Sequence, residues 1–254
     1  MTGTAEVRIG LLGPLLVDGR PWVVRSPAWR KILAALALNV GVVVSYETLI
    51  EAAGLAQTSK DPKKALQACV ARLEARFGLR IGNQPGVGYW LDIDSDQVDV
   101  LCFVRLCTQS RRSAEAGQWR QVSETAGQAL RMYRRRPFAD IDSPFLETEW
   151  ASYLEGLRLQ ALRDRIRADL HLGRHESVIP ELEDLTRRHP EEEIFWALLM
   201  LAQYRAGSRP AAKRTYEAAR GAIQRELDLD PGEVVEDVRT QIRSRIPAPD
   251  ISVP

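Results

Sequence analysis

The chain has 254 residues, 45% hydrophobic and 27% charged, with a net charge of +1; this balance fits a soluble globular fold and excludes a disordered or membrane-spanning one. Its longest apolar run, Ile32 to Val44, is broken by Asn39 and Gly41 and falls short of the roughly 18 residues that cross a bilayer. No basic segment leading into an apolar stretch opens the chain, and Cys69, Cys102 and Cys107 lack C-x-x-C spacing, so a cytoplasmic, reducing location is expected.

The charge is unevenly spread. Residues 1–91 hold 11 Lys/Arg against 6 Asp/Glu, a balance of +5, and the remainder is mildly acidic. A basic front half points toward a polyanionic partner. That half opens with three short aliphatic runs, "VRIGLLG", "LLVDG" and "PWVVR", separated by Gly13-Pro14 and by Asp18 to Pro21, which predicts a three-stranded antiparallel meander. A helix over about 27–39 follows, with Ser26 as N-cap and Pro27 at its first position. A second helix begins at the N-cap Ser45 and ends at Gly54.

The third helix lies in "KDPKKALQACVARLEARFG", Lys60 to Gly78. Leu66, Val70, Leu73 and Phe77 share one face and predict its core stripe. The opposite face carries Lys64, Ala68, Ala71 and Ala75, flanked by Gln67 and Arg72. Alanines here make a slim ridge, and Lys60, Lys63 and Lys64 crowd the helix start, where the dipole disfavours cations. Alanine is also the best helix former, and surface lysines solubilise, so the helix by itself is equally compatible with an ordinary solvated face. A major groove flanked by phosphates suits the ridge and the lysines, with Gln67 and Arg72 long enough to read base edges. The start of the second helix at Ser45 could hold a phosphate. "RIGNQPGVGYWLDI" predicts a hairpin whose tip, Asn83 to Val87, could lie against the DNA backbone. Helix, helix, hairpin is the order of a winged helix-turn-helix.

Beyond Val98 strand signals vanish. Helices are predicted at about 99–116, 119–134, 144–172, 175–188, 191–206, 209–227 and 231–244, with similar breaks at Ala116, Leu172 and Ala206. Gly173 and Gly207 stand 34 residues apart, the period of tetratricopeptide helix pairs, and Trp196, Leu199 and Tyr204 fall near that repeat's packing positions. A non-repetitive helical bundle is the alternative. The fold class expected is thus an α+β winged helix-turn-helix domain over residues 1–97, followed by an all-α tetratricopeptide-like domain over 98–254.

These residues resemble a known family. "GVVVSYETLIEAAG" and "NQPGVGYWLDI" are similar to the second helix and wing of the OmpR-type winged helix. Phe145 to His175, Phe195 to Gly207 and "ELDLDPGEVV" (Glu226 to Val235) are similar to the bacterial transcriptional activator domain. Together, over about residues 6 to 244, they resemble the Streptomyces antibiotic regulatory protein (SARP) family. The resemblance implies a transcriptional activator that binds direct repeats in double-stranded DNA near the promoter −35 region as head-to-tail pairs and recruits RNA polymerase. The genes controlled would be those of secondary metabolism. It places polymerase contact, including the sigma factor, on the segment after the second helix, at Leu55, Ala56, Gln57, Thr58 and Ser59. The DNA-contact set is then Ser45, Lys60, Lys63, Lys64, Gln67, Ala68, Ala71, Arg72, Arg76, Asn83, Gln84 and Gly86. A homodimer is expected, formed on DNA or before it. The chain departs from the family at Cys69, Glu74 and the wing positions Gln84 and Pro85, where polar or basic residues are common, which implies fewer cationic anchors.

Other constellations are weaker. His171 and His175 lie four apart, but no third ligand has fitting spacing and Gly173 separates them, so no metal is expected. Arg134 to Arg136 read as a solvated charge run. The absence of a phosphate loop or nucleophile elbow argues against an enzyme and against a cofactor. A protein-interaction scaffold with weakened DNA binding is the competing reading, and an effector or peptide in the helical half is compatible with either.

Overall fold

The computed structural model describes residues 8–21, 26–144, 146–244 and 246. The chain forms two compact units, one of residues 1–108 with 128–158 and the other of residues 109–127 with 159–254.

In the first unit, β1 (Ile9–Gly10), β2 (Leu16–Val17) and β3 (Arg20–Pro21) form the expected antiparallel meander in that order. The rest of the third run, Trp22 to Arg25, lies outside the described residues. Helix α1 (Pro27–Leu38) starts at Pro27; Ser26 stands at the N-cap, but its hydroxyl makes no capping hydrogen bond. Residues Ile32 to Leu38 are buried all round, which makes α1 the central helix against which α2 (Tyr46–Ala53) packs. A left-handed Gly54 ends α2, and the segment after it opens with a one-turn helix α3 (Leu55–Thr58). Helix α4 (Pro62–Phe77) packs on α1 and α2, burying Leu66, Cys69, Val70 and Leu73. This i, i+3, i+4, i+7 stripe is the predicted one with Cys69 added, and Phe77 is half-buried.

The wing is the antiparallel hairpin of β5 (Ile81–Gln84) and β6 (Gly88–Leu91). A two-residue strand β4 (Val44–Ser45), just before α2, adds to it in the order β4-β6-β5. The wing is therefore tied through backbone hydrogen bonds to the start of α2.

This unit does not stop at residue 97. Asp99 opens α5 (Asp99–Glu115), and its buried carboxylate accepts from the N–H groups of Leu11 at 2.6 Å and Leu12 at 3.0 Å, and from Arg134 Nη2 at 3.0 Å. Burial pushes the Asp99 carboxyl up, and the N–H groups of Leu11, Leu12 and Val100 and the Arg134 guanidinium oppose that push. The backbone N–H groups of Arg134 and Phe138 donate to Leu12 and Leu11, and Asp140 accepts from Leu15 N at 2.8 Å. Arg134, read from sequence as part of a solvated run, is thus a tether. The packing unit takes in the start of the helical half because residues 99 and 134–140 satisfy the polar groups of the β1–β2 loop.

The second unit is helical. Its elements are the later part of α5, the earlier part of α6 (Trp119–Met132), most of α7 (Ser152–His171), α8 (His175–Arg188), α9 (Glu193–Arg205), α10 (Arg209–Leu227) and α11 (Glu233–Arg243). Helix α9 is buried from Phe195 to Gln203, and α8, α10 and α11 pack around it. The three similar breaks share one geometry. Gly117, Gly173 and Gly207 have φ of 67°, 78° and 82°, and the next residue's N–H reaches back to Ser113, Asp169 and Gln203 respectively. Each is the glycine-ended helix stop that lets a second helix fold back.

The expected helix over 144–172 is divided. Leu146–Ala151 is a π-helical stretch preceding α7, a widening that buries Leu146 and leaves Glu147 and Glu149 exposed. Among the described residues no helix is long and apolar enough to cross a membrane.

Candidate nucleic-acid interface

Helix α4 begins at Pro62, with the Asp61 side chain accepting from Lys64 N at 3.0 Å. Asp61 was not read as a cap from sequence. It compensates the positive end of the helix dipole, so the lysines there do not by themselves demand an external anion. Lys60, Lys63 and Lys64 are exposed and make no ion pair among the described residues. Gln67, Ala68, Ala71, Arg72, Ala75 and Arg76 are exposed as well, so the alanine ridge and its long flanking side chains face solvent. The Arg76 guanidinium sits 6.0 Å from the centroid of the Phe77 ring, at the helix end, and Arg8 Nη2 donates to Phe77 O.

Two departures from the family pattern lie off this surface. Cys69 is buried in the core stripe, and burial pushes its thiol up. Glu74 Oε1 accepts from Ile81 N at 3.3 Å, linking α4 to the first wing strand. Neither position is a vacant place for a phosphate anchor.

The wing turn runs Gln84-Pro85-Gly86-Val87, closed by Val87 N donating to Gln84 O at 3.0 Å. Pro85 at its second position and Gly86 at φ 80° at its third make a type II turn, which needs glycine there. Asn83, Gln84 and Gly86 are exposed, and Val87 at the tip is 45% exposed. Gly88 has a different reason: a Cβ there would sit 1.9 Å from Val44 O, so only glycine lets β4 pair with β6. The stretch Gly86-Val87-Gly88-Tyr89 thus holds one turn residue, one close-approach residue and Tyr89, which packs edge-on against Tyr46 with centroids 5.3 Å apart. The Tyr46 hydroxyl donates to Asn83 Oδ1 at 2.6 Å, fixing wing to α2.

The polar groups around Ser45 already have partners within the fold. Its hydroxyl accepts from Thr48 N, its backbone pairs with Gly88, and the neighbouring Tyr46 N donates to Val87 O. The free donors that would cradle a phosphate are thus largely committed to the fold. In α3, Ala56, Gln57 and Thr58 are exposed, whereas Leu55 is buried in the core and cannot form part of a contact surface. Ser59 Oγ donates to Asp61 O and accepts from Asp61 N, shaping the approach to α4.

In the helical unit His171 ends α7 and His175 opens α8. The His171 ring stacks on Trp119 at 3.9 Å, and His175 Nδ1 is buried with no hydrogen-bond partner among the described residues.

Residues 98–243 match the family model described as the bacterial transcriptional activator domain. Regulatory protein DnrI of Streptomyces peucetius is 29% identical, over 98% of this chain and 96% of its own length. Transcriptional regulator RedD of Streptomyces coelicolor is 30% identical, over 95% of this chain and 71% of its own. The chain belongs to the SARP family of transcriptional activators. A solved structure, Mycobacterium tuberculosis EmbR in complex with a low affinity phosphopeptide, matches this SARP chain with a TM-score of 0.85 at 28% identity, over 95% of this chain and 66% of the EmbR chain. The SARP architecture of a winged helix followed by a helical activator domain is the one described here, and the SARP relatives are transcriptional regulators.

Proposed function

We propose that this SARP regulator binds double-stranded promoter DNA through the α4 face and the wing. It binds as a pair on direct repeats near the −35 region and recruits RNA polymerase, with its sigma factor, to secondary-metabolite genes. The observation that carries the reading is the exposed, narrow α4 ridge of Ala68, Ala71 and Ala75, bordered by Lys60, Lys63 and Lys64 and joined to the wing through Glu74. A helix with no bulk on its outer face can enter the major groove deeply, and cations at its rim meet phosphates. Gln67 and Arg72 are the base-reading side chains, Gln suited to adenine and Arg to guanine. Exposed Ala56 and Gln57 on α3 would meet polymerase from a position beside the DNA. The protein then acts in the cytoplasm on the nucleoid, and control comes from its abundance or its partners.

An electrophoretic shift with duplexes selected from a random-sequence pool tests this. Arg72→Ala should relax sequence preference. Lys64→Ala should weaken all duplexes alike and reduce the salt slope by about one unit, the signature of one lost phosphate contact. Binding untouched by both substitutions would remove α4 from the interface. Gln57→Ala should retain the shift and lose transcription in a reconstituted assay.

A further inference from the structure

The second unit carries two complementary surfaces at opposite ends of one helix. At the N-terminal half of α10 and the C-terminal end of α11 lies an open groove of about 690 Å³. Its floor is apolar, with Met200 and Ile242 buried, and its rim carries Arg209, Lys213 and Arg243. Arg209 Nη2 donates to Arg243 O, gathering the cations at one end, and none of the three makes an ion pair among the described residues. Arg239, further along, is already held by Glu236 and by the Tyr216 hydroxyl.

The other end of α10 shows the reverse pattern. Leu227, the last residue of α10, is 43% exposed, and Leu229, in the connection to α11, is 59% exposed. They alternate with the exposed carboxylates of Glu226, Asp228 and Asp230, which make no ion pair among the described residues. Two solvent-facing leucines within three residues, framed by like charges, form a knob that fits a cationic rim around an apolar floor. The knob cannot reach the groove of its own chain, because both lie on one rigid helix and the stretch of α10 from Glu217 to Leu227 holds them about 15 Å apart at their nearest.

We propose that the Leu227–Asp230 loop of one copy docks in the α10–α11 groove of a second copy of this chain. The leucines cover Met200 and Ile242, and the carboxylates meet Arg209, Lys213 and Arg243. Because two different patches meet, the contact is heterologous: it relates copies by a repeated head-to-tail step and not by a two-fold axis, and it leaves a free groove at one end of a pair and a free loop at the other. Such a step is the relation between proteins on direct repeats, so the inference rests on the proposed mode of DNA binding and names the surface that would pair the copies. Glu217 also lines the groove and Arg239 is closed off by Tyr216 and Glu236, so the cations left for a partner are Arg209, Lys213 and Arg243.

The test uses the full chain, a groove variant (Arg209→Ala with Lys213→Ala) and a loop variant (Leu227→Ser with Leu229→Ser). Sedimentation velocity at low ionic strength should show the wild type growing past a dimer with concentration and each variant remaining monomeric. Their equimolar mixture should stop at a dimer, since one intact loop then meets one intact groove. On duplexes carrying one or two tandem copies of a selected site, both variants should bind the single copy like wild type. On the two-copy duplex they should lose at least tenfold in cooperative affinity. Variants that associate or cooperate like wild type overturn the contact, as does a wild-type chain that is monomeric in solution and non-cooperative on two copies. Failure of the wild type on single copies counts instead against the DNA reading, and the sedimentation result then judges the contact by itself.

Discussion

At Gly88 a methyl group has nowhere to go, because Val44 O would lie 1.9 Å from it and that carbonyl belongs to the paired strand β4. Gly88→Ala should therefore push β4 off the wing and destabilise the protein by about 1–3 kcal/mol, the usual cost of an overpacked site. Urea denaturation followed by tyrosine and tryptophan fluorescence would register it. Asp99 poses the opposite problem, since the groups that meet its buried carboxylate are donors: the backbone N–H groups of Leu11, Leu12 and Val100, and Arg134 Nη2. In Asp99→Asn one acceptor becomes an NH2 that faces a donor, leaving a buried polar group unpaired and Arg134 without its counter-charge. A loss of about 3 kcal/mol is expected, read as a lowered urea midpoint.

At the scale of single elements, the two explanations of the α4 alanines separate cleanly. If they serve only helix propensity, Ala71→Leu changes nothing, because leucine is nearly as good a helix former and the position is exposed. If the ridge enters a groove, the same substitution leaves the urea midpoint within about 0.5 kcal/mol and costs at least tenfold in DNA affinity. Titration of a fluorescent duplex measures the second quantity. Helices such as this one were readable because hydrophobic period sums over many residues; α5, α8 and α10 begin where expected. Shorter or longer-range features carry no such period. The two-residue strand β4 is defined only by a partner some 44 residues away, and α3 is a single turn after a glycine. The same limit applies within the candidate site. The exposed face of α4 followed from spacing, whereas the Asp61 cap, the Glu74 link to Ile81 and the committed hydroxyl of Ser45 are choices among alternatives that only the folded backbone decides.

For the molecule as a whole, the family boundary and the packing boundary are different lines. The activator-domain match starts at residue 98, yet residues up to 108 and from 128 to 158 pack as one unit with the winged helix. The reason is local: the loop from Leu11 to Leu15 presents backbone groups that, among the described residues, Asp99, Asp140 and the backbone of residues 134 to 139 satisfy. Cutting after residue 97 strips those partners and exposes Leu11, Leu12 and Leu15, all fully buried in the intact chain. A fragment of residues 1–97 is therefore expected to unfold at markedly lower urea than the full chain, to bind hydrophobic dye, and to bind DNA more weakly despite retaining α4 and the wing intact in sequence. A fragment ending at residue 158 keeps Asp99, Arg134 and Asp140 and should recover most of the lost stability. It must carry the exposed ends of α5 and α6, whose partners from residue 159 onward are gone. Comparing the two fragments by urea titration and duplex binding separates the positions: equal stability would mean that residues 99 to 140 belong energetically to the activator domain. A recovery confined to the longer fragment would mean that the winged helix takes the first part of the activator domain as its own scaffold.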